Sequence, residues 1–337
     1  LALLAGARDL REVMHRRTFL AALASAPFLA LARNARAQTP SRLISLARDG
    51  RGTTLALALE HAPFPSPGAG YTDNTVYVFV PEHYRWRAED GVAALVHFHG
   101  HDTTAERAMV AHQLREQLAD SKQNAVLVVP QLAVMAADSS CGKLDTPGGL
   151  ARLLGEALPT AAREGRVTLG DTGFAADAQL GTVCVSAHSG GFHAAARSLA
   201  AGGVDVRETY LFDALYADLE VFRDWVLARR GEGLHRRHKL VSYFTEGGTT
   251  ESLNASLRAQ LDRRGVVCAH EMQEGALSRH ELSHAEAVFV RTGLWHSAVT
   301  WETNALRDVL YASALPRHLP TTWFARKTGA RPIERRR

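Results

Sequence analysis

The stretch GTVCVSAHSGGFHAAA, residues 181–196, holds three pieces in order: a buried strand, a forced turn carrying one serine, and a helix of small residues. Residues 182–186 alternate β-branched and small side chains, as a central strand does. AHSGG at 187–191 breaks that pattern before Ala194, Ala195, Ala196 and Leu199 take up helical spacing. Lifting Ser189 clear of a sheet on a sharp strand-to-helix turn requires strained backbone, and the neighbours must be small enough to permit it. Ala187, Gly190 and Gly191 meet that need. The N–H of Gly190, at the mouth of the helix, then points with the positive end of the helix dipole at the oxygen of a carbonyl held over Ser189.

Outward from this turn the chain alternates strands and helices. Upstream, residues 53–59 and 75–80 read as an antiparallel hairpin across the turn-rich PFPSPGAG at 63–70. Residues 92–98 form the apolar run of a strand buried on both faces, ending in HFHGHD at 97–102. Thr103 and Thr104 then cap a helix expected to reach residue 122. A strand at 125–129 is followed by a polar loop at 135–149 and a helical face of Leu150, Leu153, Leu154, Ala157, Leu158 and Ala161, with Pro159 the place for a kink. Downstream, a strand at 208–212 ends in Asp213, and Leu219, Phe222, Trp225 and Val226 mark a helix. A strand at 239–244 ends in Glu246-Gly247-Gly248, and Leu253, Leu257 and Leu261 mark the next helix, stopped at Gly265. The last strand region spans 266–270 and 287–290, with His280 and His284 in a connecting loop; GLWHS at 293–297 precedes a closing helix at 300–312.

The serine turn resembles the G-x-S-x-G nucleophile elbow of the α/β-hydrolase superfamily, with Ala187 in place of the first glycine. The order nucleophile, acid, histidine along alternating strands and helices is a second mark of that superfamily, and the resemblance covers about residues 50–314. It implies an α/β fold: a mostly parallel central sheet of about eight strands with helices on both faces and only a small flap. It also implies acyl transfer from an ester, or an amide, with Ser189 as nucleophile and His296 as base. The oxyanion donors would be Gly190 and the His99-Gly100-His101 turn, where Gly100 and His101 contribute backbone. The superfamily most often takes its acid after the seventh strand, which favours Glu246, but the usual Gly-x-x-Asp there is replaced by Glu246-Gly247-Gly248-Thr249. Asp213 directly ends the apolar run Tyr210-Leu211-Phe212, where a carboxylate is costly unless paired, and it is the preferred acid. His99, His188, Lys143, Trp225 and Trp295 are candidate substrate contacts, with Phe222 beside Trp225 as a pocket wall. A carboxylesterase without cofactor or metal is the expected enzyme; peptidase and amidase stay open.

Two other classes compete. His97, His99 and His101 stand at i, i+2 and i+4, one face of a strand, and such a set suits a metal-dependent hydrolase. Its order differs from the H-x-H-x-D-H run of metallo-β-lactamases, because His101 and Asp102 are transposed. A non-catalytic binding domain on the same scaffold is the other alternative, and it would not require an intact serine and histidine in these places. Three cysteines, Cys141, Cys184 and Cys268, imply no disulfide framework.

The N-terminal region, residues 1–37, reads as an export signal. MHRRTFL at 14–20, starting at Met14, places twin arginines before an apolar run of about 13 residues, too short for the roughly 20 of a bilayer span. Ala35-Arg36-Ala37 gives an A-x-A site with cleavage after Ala37. Of 39 Lys and Arg and 35 Asp and Glu, this segment takes six and two, leaving 33 of each sign. The mature balance implies no nucleic-acid partner, and the mature form no membrane partner. Expected partners are the twin-arginine export machinery and an ester or amide substrate, in the periplasm or outside the cell. Residues 38–316 suit one domain, and 317–337 form a basic, loosely ordered tail.

Overall fold

The computed structural model describes residues 41–318 apart from 235 and 272–276; the export segment and the tail from 319 onward lie outside the described residues. Ten strands are found there: β1 (Arg42–Asp49), β2 (Gly52–Ala58), β3 (Thr75–Pro81), β4 (Val92–Phe98), β5 (Val126–Pro130), β6 (Leu180–His188), β7 (Val206–Phe212), β8 (Lys239–Thr245), β9 (Cys268–Glu271) and β10 (Ala287–Thr292). They make a single sheet in the order β1-β2-β3-β5-β4-β6-β7-β8-β10-β9. From β5 to β9 every neighbour is parallel, while β1, β2 and β3 join one edge antiparallel. The expected count of about eight becomes ten because β1 joins one edge and the last strand region, read over 266–270 and 287–290, makes two strands, β9 and β10. Strand β1 is mostly exposed and carries no run of buried apolar residues, so its sequence lacks the signal by which a core strand is read.

Helices cover both faces: α1 (Ala105–Ala111), α2 (Leu114–Ser121), α3 (Gly149–Leu169), α4 (Phe192–Ala201), α5 (Leu219–Ala228), α6 (Thr249–Arg263), α7 (Arg279–His284) and α8 (Ala305–Tyr311). Alternate residues of β4 face opposite cores. Ala94, Val96 and Phe98 join the core that holds Leu153, Ala195, Phe222 and Leu257 of α3 to α6; Ala93 and Leu95 join the core that holds Met109, Leu118, Leu282 and Leu306 of α1, α2, α7 and α8. The helix expected across 104–122 is broken. Thr104 accepts from the N–H of Arg107 as its cap, but Gln113 turns left-handed at φ 50 and starts α2 afresh. Pro159 lies inside an uninterrupted 21-residue α3. The connecting loop around His280 and His284 contains the short helix α7, and the closing helix is shorter than expected because Asn304 turns left-handed at φ 56 and starts it there. The tail's first residues are tied down: the N–H of His318 donates to the Lys122 carbonyl. No helix among the described residues is long and apolar enough to cross a membrane.

Candidate active site

Strand β4 has β5 on one side and β6 on the other, so the chain's connections leave it in opposite directions. In open α/β sheets the crevice at such a switch point, beyond the strand C-termini, is where ligands bind. Ser189 stands there, directly after β6, at φ 52. That is left-handed backbone which a non-glycine residue adopts at a cost, held here by a 3-10 turn that leads into α4. The buried methyls of Ala194, Ala195 and Ala196 let α4 lie close on the sheet. The turn also packs against the loop after β4: a Cβ on Gly190 would overlap the His101 ring, and one on Gly100 would stand 2.7 Å from the Ser189 Cβ. Neither glycine can carry a side chain without moving the serine or its neighbours.

His296 follows β10, and its Nδ1 lies 2.6 Å from Oδ2 of Asp213, the residue after β7. A carboxylate only accepts, so Nδ1 carries the proton and a neutral ring leaves Nε2 bare. Asp213 is 3% exposed and sits at φ 46. The Thr245 N–H and hydroxyl donate to it at 3.3 and 3.1 Å, and the Thr250 hydroxyl donates as well. Burial pushes this carboxyl up, but the bonds from His296, Thr250 and Thr245 outweigh it and hold the pKa below the ordinary value. Glu246 is exposed and pairs with Arg291 at 3.3 Å. Of the two candidate acids, Asp213 is the one within hydrogen-bond reach of His296.

Behind His296 three more histidines follow in a chain of tilted and edge-to-face rings. The His188 ring lies 4.7 Å from that of His296, His112 lies 4.4 Å from His188, and His97 lies 5.8 Å from His112. Burial lowers the pKa of all three inner rings, His188 to about 4, so they pack beside His296 as neutral groups. His188 Nε2–H donates to the His296 carbonyl at 3.0 Å, which pins the loop on which His296 stands.

The remaining predicted residues separate. His99 is buried: the Leu132 N–H donates to its Nε2 at 2.9 Å and its Nδ1–H donates to the Gly100 carbonyl at 2.8 Å, so it braces the turn and has no nitrogen left for a substrate or metal. His97 bonds Ser186 through Nδ1, and the exposed His101 bonds the Ser139 hydroxyl through Nε2. Among the described residues His97, His99 and His101 do not form a group close enough to share an ion. Trp225 is no pocket wall: it is buried with Phe222 in the core and stacks on His238 at 4.4 Å, because α5 turns its apolar stripe to the sheet. Trp295 is 85% exposed beside His296. Lys143 donates to the Glu60 carbonyl at 2.5 Å and lines a cavity of about 680 Å³ with Phe64, Tyr71, Asp138 and Asp145. Neither Ser189 nor His296 lines that cavity; Ser139, hydrogen-bonded to His101, lies between the two regions.

Sequence reasoning missed Thr245, Thr250 and His112. The threonines belong to the end of β8 and the first turn of α6, more than thirty residues from Asp213, and no local pattern ties them to it. His112 stands where one continuous helix was expected, and only the break at Gln113 turns the chain there.

No protein-family model matches the chain, and no curated protein does. Among solved structures it is similar to an S-formylglutathione hydrolase from Agrobacterium tumefaciens, at 11% identity over 74% of this chain and 90% of that one, with a TM-score of 0.41. It is also similar to the feruloyl esterase module from Clostridium thermocellum, at 10% identity over 82% and 96%, TM-score 0.44. A fluorophosphonate-binding serine hydrolase of Staphylococcus aureus gives 10% over 77% and 98%, TM-score 0.44. Likenesses this distant leave the assignment to the strand order and to the turn that carries Ser189 at the sheet's switch point. On those grounds the chain has the α/β-hydrolase fold.

Proposed function

We propose that this protein is an exported serine hydrolase that cleaves carboxylic esters, with amides as a second substrate class, through an acyl-enzyme at Ser189. The observation that carries the proposal is the 2.6 Å contact between His296 Nδ1 and the buried Asp213 carboxylate, with the His296 carbonyl held by His188, the residue before the left-handed serine. In this reading the bare Nε2 of His296 takes the Ser189 hydroxyl proton as Oγ attacks the carbonyl carbon. The N–H groups of Gly190 and the residue 100–101 turn hold the oxyanion, and His296 returns the proton to the leaving alcohol. Water, deprotonated by the same nitrogen, then releases the acid. Asp213 sets the tautomer and offsets the imidazolium charge.

The carboxylesterase preference rests on the short connection between Asp213 and β8, which has room for a flap and none for a lid domain. Export to the periplasm or medium rests on the twin arginines and the A-x-A site of residues 14–37. The test is to treat the mature protein with a fluorophosphonate probe and map the adduct by peptide mass. Modification at Ser189, with labelling and ester turnover both abolished in Ser189→Ala, is the expected result. Turnover that survives Ser189→Ala overturns the proposal.

A further inference from the structure

The loop at residues 138–145, to which the serine chemistry assigns no part, brings a second constellation together. Cys141 is buried at its centre, Asp145 lies four residues on, and His193 comes from the first turn of α4, four residues beyond Ser189. The Cys141 sulfur, an Asp145 carboxylate oxygen and a His193 ring nitrogen all lie within 4.8 Å of one another. The orientation of His193 is set from outside: its Nδ1 is 2.8 Å from Oδ2 of Asp218, so Nδ1–H donates there. Nε2 is then left bare, 3.8 Å from Oδ1 of Asp145. A lone pair, a carboxylate oxygen and a thiol sulfur converge. Arg197 stands against them, its Nε 2.6 Å from the same Asp145 oxygen, and orients that carboxylate.

We propose that Cys141, Asp145 and His193 bind a divalent transition-metal ion of the zinc class, with water at the fourth position. A thiolate, an imidazole and a carboxylate are zinc's ordinary donors, and a carboxylate on the far nitrogen of the histidine is the usual support of a metal-bound imidazole. At zinc's ligand distances the three donors would close on the ion by at most about 1 Å. Binding replaces the Cys141 thiol proton, which passes to solvent, and leaves two negative ligands against a 2+ ion. Asp145 also lines the 680 Å³ cavity, which gives the ion a way in. Bound there, the ion ties the 138–145 loop to the helix that carries the serine turn, and through Asp218 to the segment before α5. It takes no part in acyl transfer, and the inference stands apart from the proposed function.

The experiment uses the mature protein dialysed against a chelator and titrated with zinc and, separately, cobalt. One equivalent of zinc should bind and raise Tm, and the cobalt form should show a thiolate-to-metal charge-transfer band. Cys141→Ser should remove that band, and where this buried substitution prevents folding, the partly exposed His193→Gln decides, with loss of the bound equivalent. Asp218→Asn, an exchange its left-handed backbone tolerates, should weaken binding by about 10–100-fold. Ser189→Ala should bind zinc as the parent does, which separates this site from the crevice. Absence of a bound equivalent in the parent, or binding unchanged in His193→Gln, overturns the proposal.

Discussion

Strand β7 carries a buried carboxylate at each end, and the two are used differently. Near its start, Glu208 is enclosed: Tyr210 donates to it at 2.6 Å, the Ala314 N–H donates at 2.9 Å, and Lys239 lies 3.4 Å away while donating to the Ala312 carbonyl at 2.6 Å. The Glu208 and Lys239 side chains are 7% and 2% exposed. Just past its end, Asp213 is as deeply buried and as fully bonded, but the side chain of its partner His296 is 42% exposed. Both pairs set a carboxylate against a group able to carry positive charge. What separates them is the partner's far side: Lys239 is closed in on the C-terminal stretch, whereas His296 keeps one nitrogen turned away from its carboxylate. A buried charge pair is therefore no sign of a site by itself.

The sharpest way to break this contrast is to neutralise each carboxylate's role in turn. Asp213→Asn should lower kcat by the order of 10⁴-fold, because the histidine loses the acceptor that sets its tautomer, while the folded structure persists. Glu246→Gln should leave turnover near the parent's, since Glu246 is exposed and pairs with Arg291 at the surface. Turnover near the parent's in Asp213→Asn, with loss in Glu246→Gln, would return the acid to the seventh strand.

At the other end of β7, Lys239→Ala leaves Glu208 buried without its cation. It should cost about 3–5 kcal/mol in urea unfolding, with kcat per folded molecule unchanged. A cost below about 1 kcal/mol would mean that Tyr210 and the Ala314 N–H satisfy the carboxylate without the lysine, and that the two ends are less alike than the geometry says.

The smallest effect is on acid stability. The Asp213 carboxyl titrates below its unfolded value of about 4. Its contribution is therefore complete above that pH and is lost as pH falls through the lower folded value. Asp213→Asn should flatten the fall in stability below about pH 4. Parallel acid limbs in the two proteins would show that Asp213 gains nothing from His296, Thr245 and Thr250.

The serine turn was legible because its requirements are local: a buried run, small residues around one hydroxyl, and alanines on the next helix turn. Strands β4 and β5 were legible for the same reason, since strands buried on both faces are written as near-continuous apolar runs. Edge strand β1 lacked that signal. Trp225 was misread because apolar helical spacing describes a face without saying what it meets, and α5 meets the sheet.

The sequence by itself determined the alternation of strands and helices, the serine on its turn, and two acids at the ends of successive strands. It left the partner of His296 open, because residues 213, 246 and 296 are too far apart for any spacing rule to join them. Tertiary structure decided it through register. Phe212 pairs with Tyr243 across β7 and β8, and Arg291 with Phe244 across β10 and β8, so Asp213, Thr245 and the loop bearing His296 come together at the C-terminal ends of these strands. Glu246, two residues past Phe244, is turned outward to Arg291. The same closing of distant segments sets Cys141, Asp145 and His193 around one point and brings four histidine rings into one chain of contacts. Contacts of that kind follow from strand order and helix packing, which the free energy of the whole core selects and no short run of residues encodes.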